Sequence, residues 1–339
     1  MTEAVFSAPW LKALYRELNQ FAAHTQSPVL VHGQQRRGLL SVANQWAAFR
    51  LCEQPVGDQA CEHCAACHMR QGGNHPDLQV LCPQSVSLEM GFPLELKTGT
   101  KPSQEIRVDD VRQLQSFLHT ASSRGHERIV LVYPFDALNL NAANALLKIL
   151  EEPGEGLRFV LIGHKPEHLL PTIRSRCQSL AATEPDYKEA VTWLKGLSVA
   201  EPEVAFSLAM NDPFDALDLS NNQIDQLGLR KKWVDWLVSP EQQNQLPAGL
   251  EKMGFPVAVE LAQRVCADLS AVCQGGTVEV FPWLAPRVLW AKRISLQSLS
   301  RVFALLTRQS AIAEHPLNPR LALEFVAQEW HNQLVKTQS

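Results

Sequence analysis

Four of the eight cysteines fall in one short stretch: Cys52, Cys61, Cys64 and Cys67, spaced C-x8-C-x2-C-x2-C. Tetrahedral Zn²⁺ is satisfied by four thiolates at about 2.3 Å, and a C-x2-C turn brings two sulfurs to one metal without strain. Four thiolates leave no position for water or substrate, so the metal expected here is structural and not catalytic. Two other uses compete. Cys64 and Cys67 alone form a redox C-x-x-C pair, and secreted chains use such clusters for disulfides. Two further cysteines close by argue against the first, and a cytosolic setting argues against the second. His63, His68 and His75 lie near enough to substitute as ligands, although solvated or supporting histidines are the simpler use. Cys82, Cys177, Cys266 and Cys273 sit on apolar stretches and are expected as small core residues.

A second constellation has the frame of a phosphate site without its working parts. Gly33-Gln34-Gln35-Arg36-Arg37-Gly38-Leu39-Leu40 has the glycine spacing of G-x-x-x-x-G-K-[ST] and follows an apolar run, Pro28–His32. A working loop needs Lys to reach the β- and γ-phosphates and Ser/Thr to hold Mg²⁺. Leu39 and Leu40 do neither. Weak anion binding by Arg36, Arg37 and the Gly33–Gly38 backbone amides stays open. The acidic strand end that should hold Mg²⁺ is also missing. Ile129–Val132 runs into Tyr133 and Pro134, and the first acid, Asp136, is expected to cap the next helix.

These residues need a scaffold, and the pattern through about residue 181 supplies one. Pro28–His32, Asp77–Leu81, Arg128–Tyr133 and Arg158–Ile162 read as strands. Between them, Gly38–Leu51 and Asn139–Glu152 read as helices, the second stopped by Pro153-Gly154. Asp109 is a plausible N-cap for a further helix carrying Val111, Leu114, Leu118 and Ala121. Strands this continuously apolar, alternating with helices, predict a parallel sheet covered on both faces. Beyond Glu184-Pro185 only helical periodicity remains. Trp193–Lys195 and Phe206–Ala209 fall in a small helical unit, Asn211–Asn222 reads as a polar break, and the remainder reads as a second helical domain.

Composition limits the function classes. The chain has 339 residues and a formal net charge of −4. Cationic and anionic side chains number 17 and 17 through residue 180, then 14 and 18. That balance disfavours an autonomous high-affinity nucleic-acid binder, which needs clustered Lys and Arg. The start resembles no signal peptide and no stretch is apolar enough to span a bilayer, so a cytoplasmic protein without membrane contact is expected.

Two further motifs carry a resemblance. Asn144–Pro153 reads NALLKILEEP, and Arg174-Ser175-Arg176-Cys177 supplies S-R-C just after Pro171. With the cysteine cluster, they closely resemble the AAA+ clamp-loader family of bacterial DNA polymerase III. The resemblance is strong over residues 28–182 and looser beyond. In that family the ATP-hydrolysing tau/gamma subunit keeps G-K-T and the acidic strand end, while a non-hydrolysing counterpart has lost both. Leu39, Leu40, Tyr133 and Pro134 fit the counterpart.

The resemblance implies three domains: an α/β AAA+ core with a zinc module over 1–182, a helical lid over 183–222, and an all-α collar over 223–339. It implies no intrinsic ATPase or polymerase activity, structural Zn²⁺ and no required ATP. The implied partners are tau/gamma and delta subunits, with the sliding clamp and primed DNA reached through the complex. The S-R-C arginine, here Arg176 between Ser175 and Cys177, would enter the ATP site of a neighbouring subunit. On residue chemistry alone, Arg176 could equally pair with a local carboxylate or cap a helix. Two other functions remain in contention: an ATPase with an unconventional phosphate loop, and a zinc-dependent nucleic-acid module.

Overall fold

Apolar strands that alternate with helices bury both faces when they pair in parallel. In the computed structural model, Val29–His32 (β1), Leu78–Leu81 (β2), Arg128–Val132 (β3), Leu157–Gly163 (β4) and Gln178–Ala181 (β5) form one sheet. Its order is β2-β3-β4-β1-β5 and every pairing is parallel. The structure describes residues 8–33, 36–89, 102–118, 120–123, 127–221, 225–239, 246–312 and 318–334. The chain divides into two compact units, Met1–Pro185 and Asp186–Ser339.

The first unit holds the sheet and helices Pro9–His24 (α1), Arg36–Leu51 (α2), Ala65–Gln71 (α3), Gln84–Glu89 (α4), Val108–Leu118 (α5), Leu140–Glu151 (α6) and Pro171–Arg174 (α7). Leu30, Val130, Val132, Phe159 and Leu161 share one core with Val111, Leu114 and Phe117 of α5 and Ala142, Leu146 and Leu150 of α6. Helix α2 packs on β4, and α1 packs on α2 and β5. The four strands expected from sequence are present. Strand β5 was not expected: it is a sheet edge where Leu180 alone is buried, so it has no apolar run to detect. Helix α1 was also not expected, although Trp10, Leu11, Leu14, Tyr15, Leu18 and Ala22 bury one face of it.

Asp109 is not an N-cap. Helix α5 starts at Val108, and the Arg107 N–H donates to Asp110 at 2.7 Å. A carboxylate reaching back from the first turn is half of a capping box. Asp109 pairs instead with Arg112 on the surface at 3.0 Å. The helix ends at Leu118, leaving Ala121 off it. There the buried Arg128 guanidinium donates to the Phe117 and Leu118 carbonyls at 2.8 and 3.1 Å, a cation at the negative end of a helix. Asn139 caps α6 by accepting from the Ala142 N–H at 2.9 Å. Pro153 has no N–H and restricts Glu152, so α6 stops at Glu151.

Among the described residues, the second unit has helices and no strand: Tyr187–Gly196 (α8), Pro202–Leu208 (α9), Pro213–Asn221 (α10), Gln226–Leu237 (α11), Phe255–Cys273 (α12), Leu296–Ile312 (α13) and Pro319–Leu334 (α14). The expected break at 211–222 is mostly helix α10. Asp212 accepts from the Phe214 and Asp215 N–H groups at 2.8 and 3.2 Å and so starts it. Phe214, Ala216, Leu217 and Leu219 bury its inner face, which the run of Asp and Asn conceals in the sequence. The expected boundary after 222 falls among residues 222–224, outside the described residues. The large core here is anchored by indoles. Trp233 and Trp330 donate to the Ala258 and Leu237 carbonyls, each at 2.9 Å.

Candidate functional site

Helix α2 delivers Cys52 one residue past its end, and α3 starts with Cys64 as its N-cap. Cys67 lies in α3, and Cys61 approaches from the intervening loop, which Tyr15 of α1 holds through the Asp58 carbonyl. The four sulfurs lie within 4.8 Å of one another. Cys52 is 3.8 Å from Cys67 and 3.9 Å from Cys64, and Cys61 is 4.0 Å from Cys67. Four thiolates around one Zn²⁺ at about 2.3 Å define a tetrahedron with edges of about 3.8 Å, whereas a disulfide closes to about 2.05 Å. The donor set therefore fits a tetrahedral thiophilic ion.

The backbone amides favour thiolates in the same place. Cys61 N–H donates to the Cys52 sulfur at 3.2 Å, and Cys64 N–H to the Cys61 sulfur at 3.3 Å. Burial pushes the Cys64 thiol up, but hydrogen bonds led by the Cys67 amide outweigh it and bring it down to about 6. Burial keeps Cys52 and Cys67 high. Among the described residues no histidine joins the sulfurs. His63 instead donates from Nδ1 to the Cys61 carbonyl at 2.6 Å, and His75 Nδ1 accepts from the Asp77 N–H at 3.1 Å. Cys266 is buried, and Cys82, Cys177 and Cys273 are half-buried.

The phosphate-loop frame lies at the carboxyl end of β1. Gly38 and Leu40 are buried and Leu39 is 0% exposed, so apolar packing occupies the positions where Lys and Ser/Thr would stand. The loop entrance is tied down from both sides. Gly33 N–H donates to the Gly163 carbonyl at 3.3 Å, and His164 Nδ1 donates to the Gly33 carbonyl at 2.9 Å. A Cβ on Gly33 would stand 2.9 Å from that of Ala182. Gln34, Gln35 and the side chains of Arg36 and Arg37 lie outside the described residues, and so does the question of weak anion binding there.

Asp136 does not cap a helix. Its carboxylate accepts from the His164 and Lys165 N–H groups at 2.7 and 2.8 Å, fastening the turn after β4 to the end of β3. Gly163 makes room for this: a Cβ there would fall 2.5 Å from Asp136 Oδ2 and 2.8 Å from the Phe135 ring. The first acid after β3 thus serves the backbone.

Arg176 sits elsewhere. Short helix α7 turns the chain back from the end of β4 to the start of β5, where Gln178 N–H donates to the Pro28 carbonyl at 2.8 Å. Arg176 lines an open groove of about 580 Å³ with Gln26, Ser27, Pro28, Glu151, Glu152 and Pro153. It pairs with Glu151 at 2.8 Å and donates to the Thr172 carbonyl at 2.9 Å, with 39% of its side chain exposed. Ser175 donates to the same carbonyl at 3.1 Å. Cys177 is half-buried, and burial pushes its thiol up to about 12. Arg174, two residues before Arg176, is not among the residues that line this groove. It lies within electrostatic reach of His32 at the far end of β1, whose pKa is lowered by burial and by Arg174 against an opposing effect of Glu167.

Residues 10–185 match the protein family described as DNA polymerase III, delta subunit. The DNA polymerase III subunit delta' of Pseudomonas aeruginosa is 39% identical over 197 residues, 58% of this chain and 55% of that protein. That of Escherichia coli (strain K12) is 30% identical over 224 residues, 61% of this chain and 62% of that protein. The chain thus spans somewhat over half the length of these curated relatives. A solved DNA polymerase III gamma subunit-related protein from Thermotoga maritima covers 95% of this chain and 99% of its own, with TM-score 0.51 and 18% identity, a likeness of fold. Helices α1 to α7 and the five-stranded AAA+-like sheet fall within or beside the matched segment, and the chain belongs to the DNA polymerase III delta-subunit family, on the side of its delta-prime members.

Proposed function

We propose that this chain is a non-hydrolysing subunit of a clamp loader that donates Arg176 to the ATP site of a neighbouring subunit. The observation that carries the proposal is the separation of the two ends of β1. The phosphate-loop frame follows His32, whereas Arg176 lines the groove beside Pro28. Four strand residues at roughly 3.3 Å each put about 13 Å between them. Arg176 is out of reach of its own loop and open to a partner. A guanidinium suits the task, being permanently charged and able to bond two phosphate oxygens at once.

The partners under this reading are tau/gamma and delta subunits, with the sliding clamp and primed DNA engaged through the assembled cytoplasmic complex. The buried Leu39 and the occupied Asp136 support a chain that needs no ATP of its own. Cys52, Cys61, Cys64 and Cys67 would hold one structural Zn²⁺, whose contribution is to cross-link the end of α2 to α3. Residues 183–222 would form a lid and residues 223–339 a collar.

The test is to reconstitute the complex with Arg176→Ala and measure DNA-dependent ATPase and clamp loading. Assembly and zinc content should stay intact, ATPase should fall in part, and loading should fall further. Wild-type ATPase and loading in a fully assembled Arg176→Ala complex would refute the role. Arg174→Ala is the control and should act mildly.

A further inference from the structure

We propose that Glu151, the last residue of α6, is the positioning residue for Arg176. The inference rests on the proposed role of Arg176 and asks what aims its side chain. A guanidinium carries five N–H groups in a planar fork. Among the described residues, one terminal nitrogen of Arg176 meets Glu151 Oε1 at 2.8 Å and the other donates to the Thr172 carbonyl at 2.9 Å. These contacts come from two elements and fix the plane of the fork. The three remaining N–H groups are left for phosphate oxygens.

The local chain is built to hold Glu151 in place. Pro153 ends α6, so Glu151 stands in its last turn, where the helix dipole adds negative potential to the carboxylate. Leu150 beside it is buried in the sheet core, which fixes the backbone from which Glu151 projects. Thr172 is equally anchored, since its neighbour Ile173 is 0% exposed in the same core. The pair itself is open to solvent, with side-chain exposures of 39% and 43%. Such a pair adds little to stability, so it can be altered without unfolding the chain. Its use is orientation: a charged group displaced by about 1 Å can lose on the order of 10²-fold in rate.

The experiment compares full complexes reconstituted with wild-type chain, Glu151→Gln, Glu151→Asp, Arg176→Ala and the Glu151→Gln/Arg176→Ala pair. The readout is the Arg176-dependent share of DNA-dependent ATPase, taken as the difference from the Arg176→Ala complex. Glu151→Gln should lower kcat for that share by roughly 10- to 100-fold, with KM for ATP, assembly and zinc content unchanged. Glu151→Asp keeps the charge with a shorter reach and should fall between. In the Arg176→Ala background, Glu151→Gln should change nothing further. A Glu151→Gln complex as fast as wild type, or faster, overturns the proposal, as does an equal loss in both backgrounds. An Arg176→Ala complex with unimpaired ATPase overturns the role of Arg176 and the positioning with it.

Discussion

The two ends of strand β1 have been treated in opposite ways. At the carboxyl end, Leu39 and Leu40 are packed away, Gly33 is bonded to Gly163 and His164, and Asp136 is occupied by backbone amides. At the amino end, Arg176 stands in an open groove on one carboxylate and one carbonyl. The same sheet serves both. One scaffold can close one end of a strand with apolar packing and backbone bonds and leave a charged side chain partly exposed at the other. Helix α2 joins the closed end to the cysteine cluster, since it begins within the phosphate-loop frame at Arg36 and ends at Leu51, one residue before Cys52.

The largest effect should come from metal removal. Structural zinc contributes roughly 10–16 kcal/mol of apparent binding energy at neutral pH. Chelation, or Cys61→Ser, should abolish stoichiometric zinc by elemental analysis and speed amide exchange over Cys52–Gln71. Both ends of β1 should keep their exchange protection. Unaltered exchange in fully metal-free protein would mean that the sulfurs hold together without an ion.

Next in size is the open end. An arginine supplied in trans is worth roughly 10³–10⁵ in rate at the site it completes. Arg176→Lys should recover little of that in single-turnover ATP hydrolysis by the reconstituted complex, because an ammonium keeps the charge but lacks the planar fork. Full recovery with Lys would reduce the role of Arg176 to bulk charge.

At the closed end the effects are on stability. Gly163→Ala drives a methyl into Asp136 and Phe135 and should cost about 1–3 kcal/mol by denaturant unfolding. Asp136→Ala leaves the His164 and Lys165 amides without their acceptor and should cost about the same or less, on the order of 1–3 kcal/mol. A neutral result for both would show that the turn after β4 has another support. The smallest effect is expected from rebuilding the loop. Leu39→Lys with Leu40→Thr should yield no ATPase in the isolated chain, since Tyr133 and Pro134 still provide no Mg²⁺ ligand. Measurable turnover would show that the closed end is not closed.

What the sequence determined by itself is what neighbouring residues encode. The C-x8-C-x2-C-x2-C spacing anticipated the sulfur cluster, because chelating turns are local. The apolar runs at β1, β3 and β4 announced a parallel sheet, and Asn139 and Pro153 marked the limits of α6 within a residue. That Leu39, Leu40, Tyr133 and Pro134 offer no Lys, no Ser/Thr hydroxyl and no acid is plain in the residues themselves. Where the signal was one-sided or masked it failed, as in β5 with Leu180 alone inward and α10 with its apolar face hidden among Asp and Asn. Only the tertiary structure decided the rest. Asp136 serves amides 28 and 29 residues away, and Arg176 rests on Glu151 of α6. The fold also brought Arg176 to the groove beside Pro28 at the amino end of β1. A side chain's partner across the chain depends on how the sheet orders its strands, and no local pattern of residues carries that order.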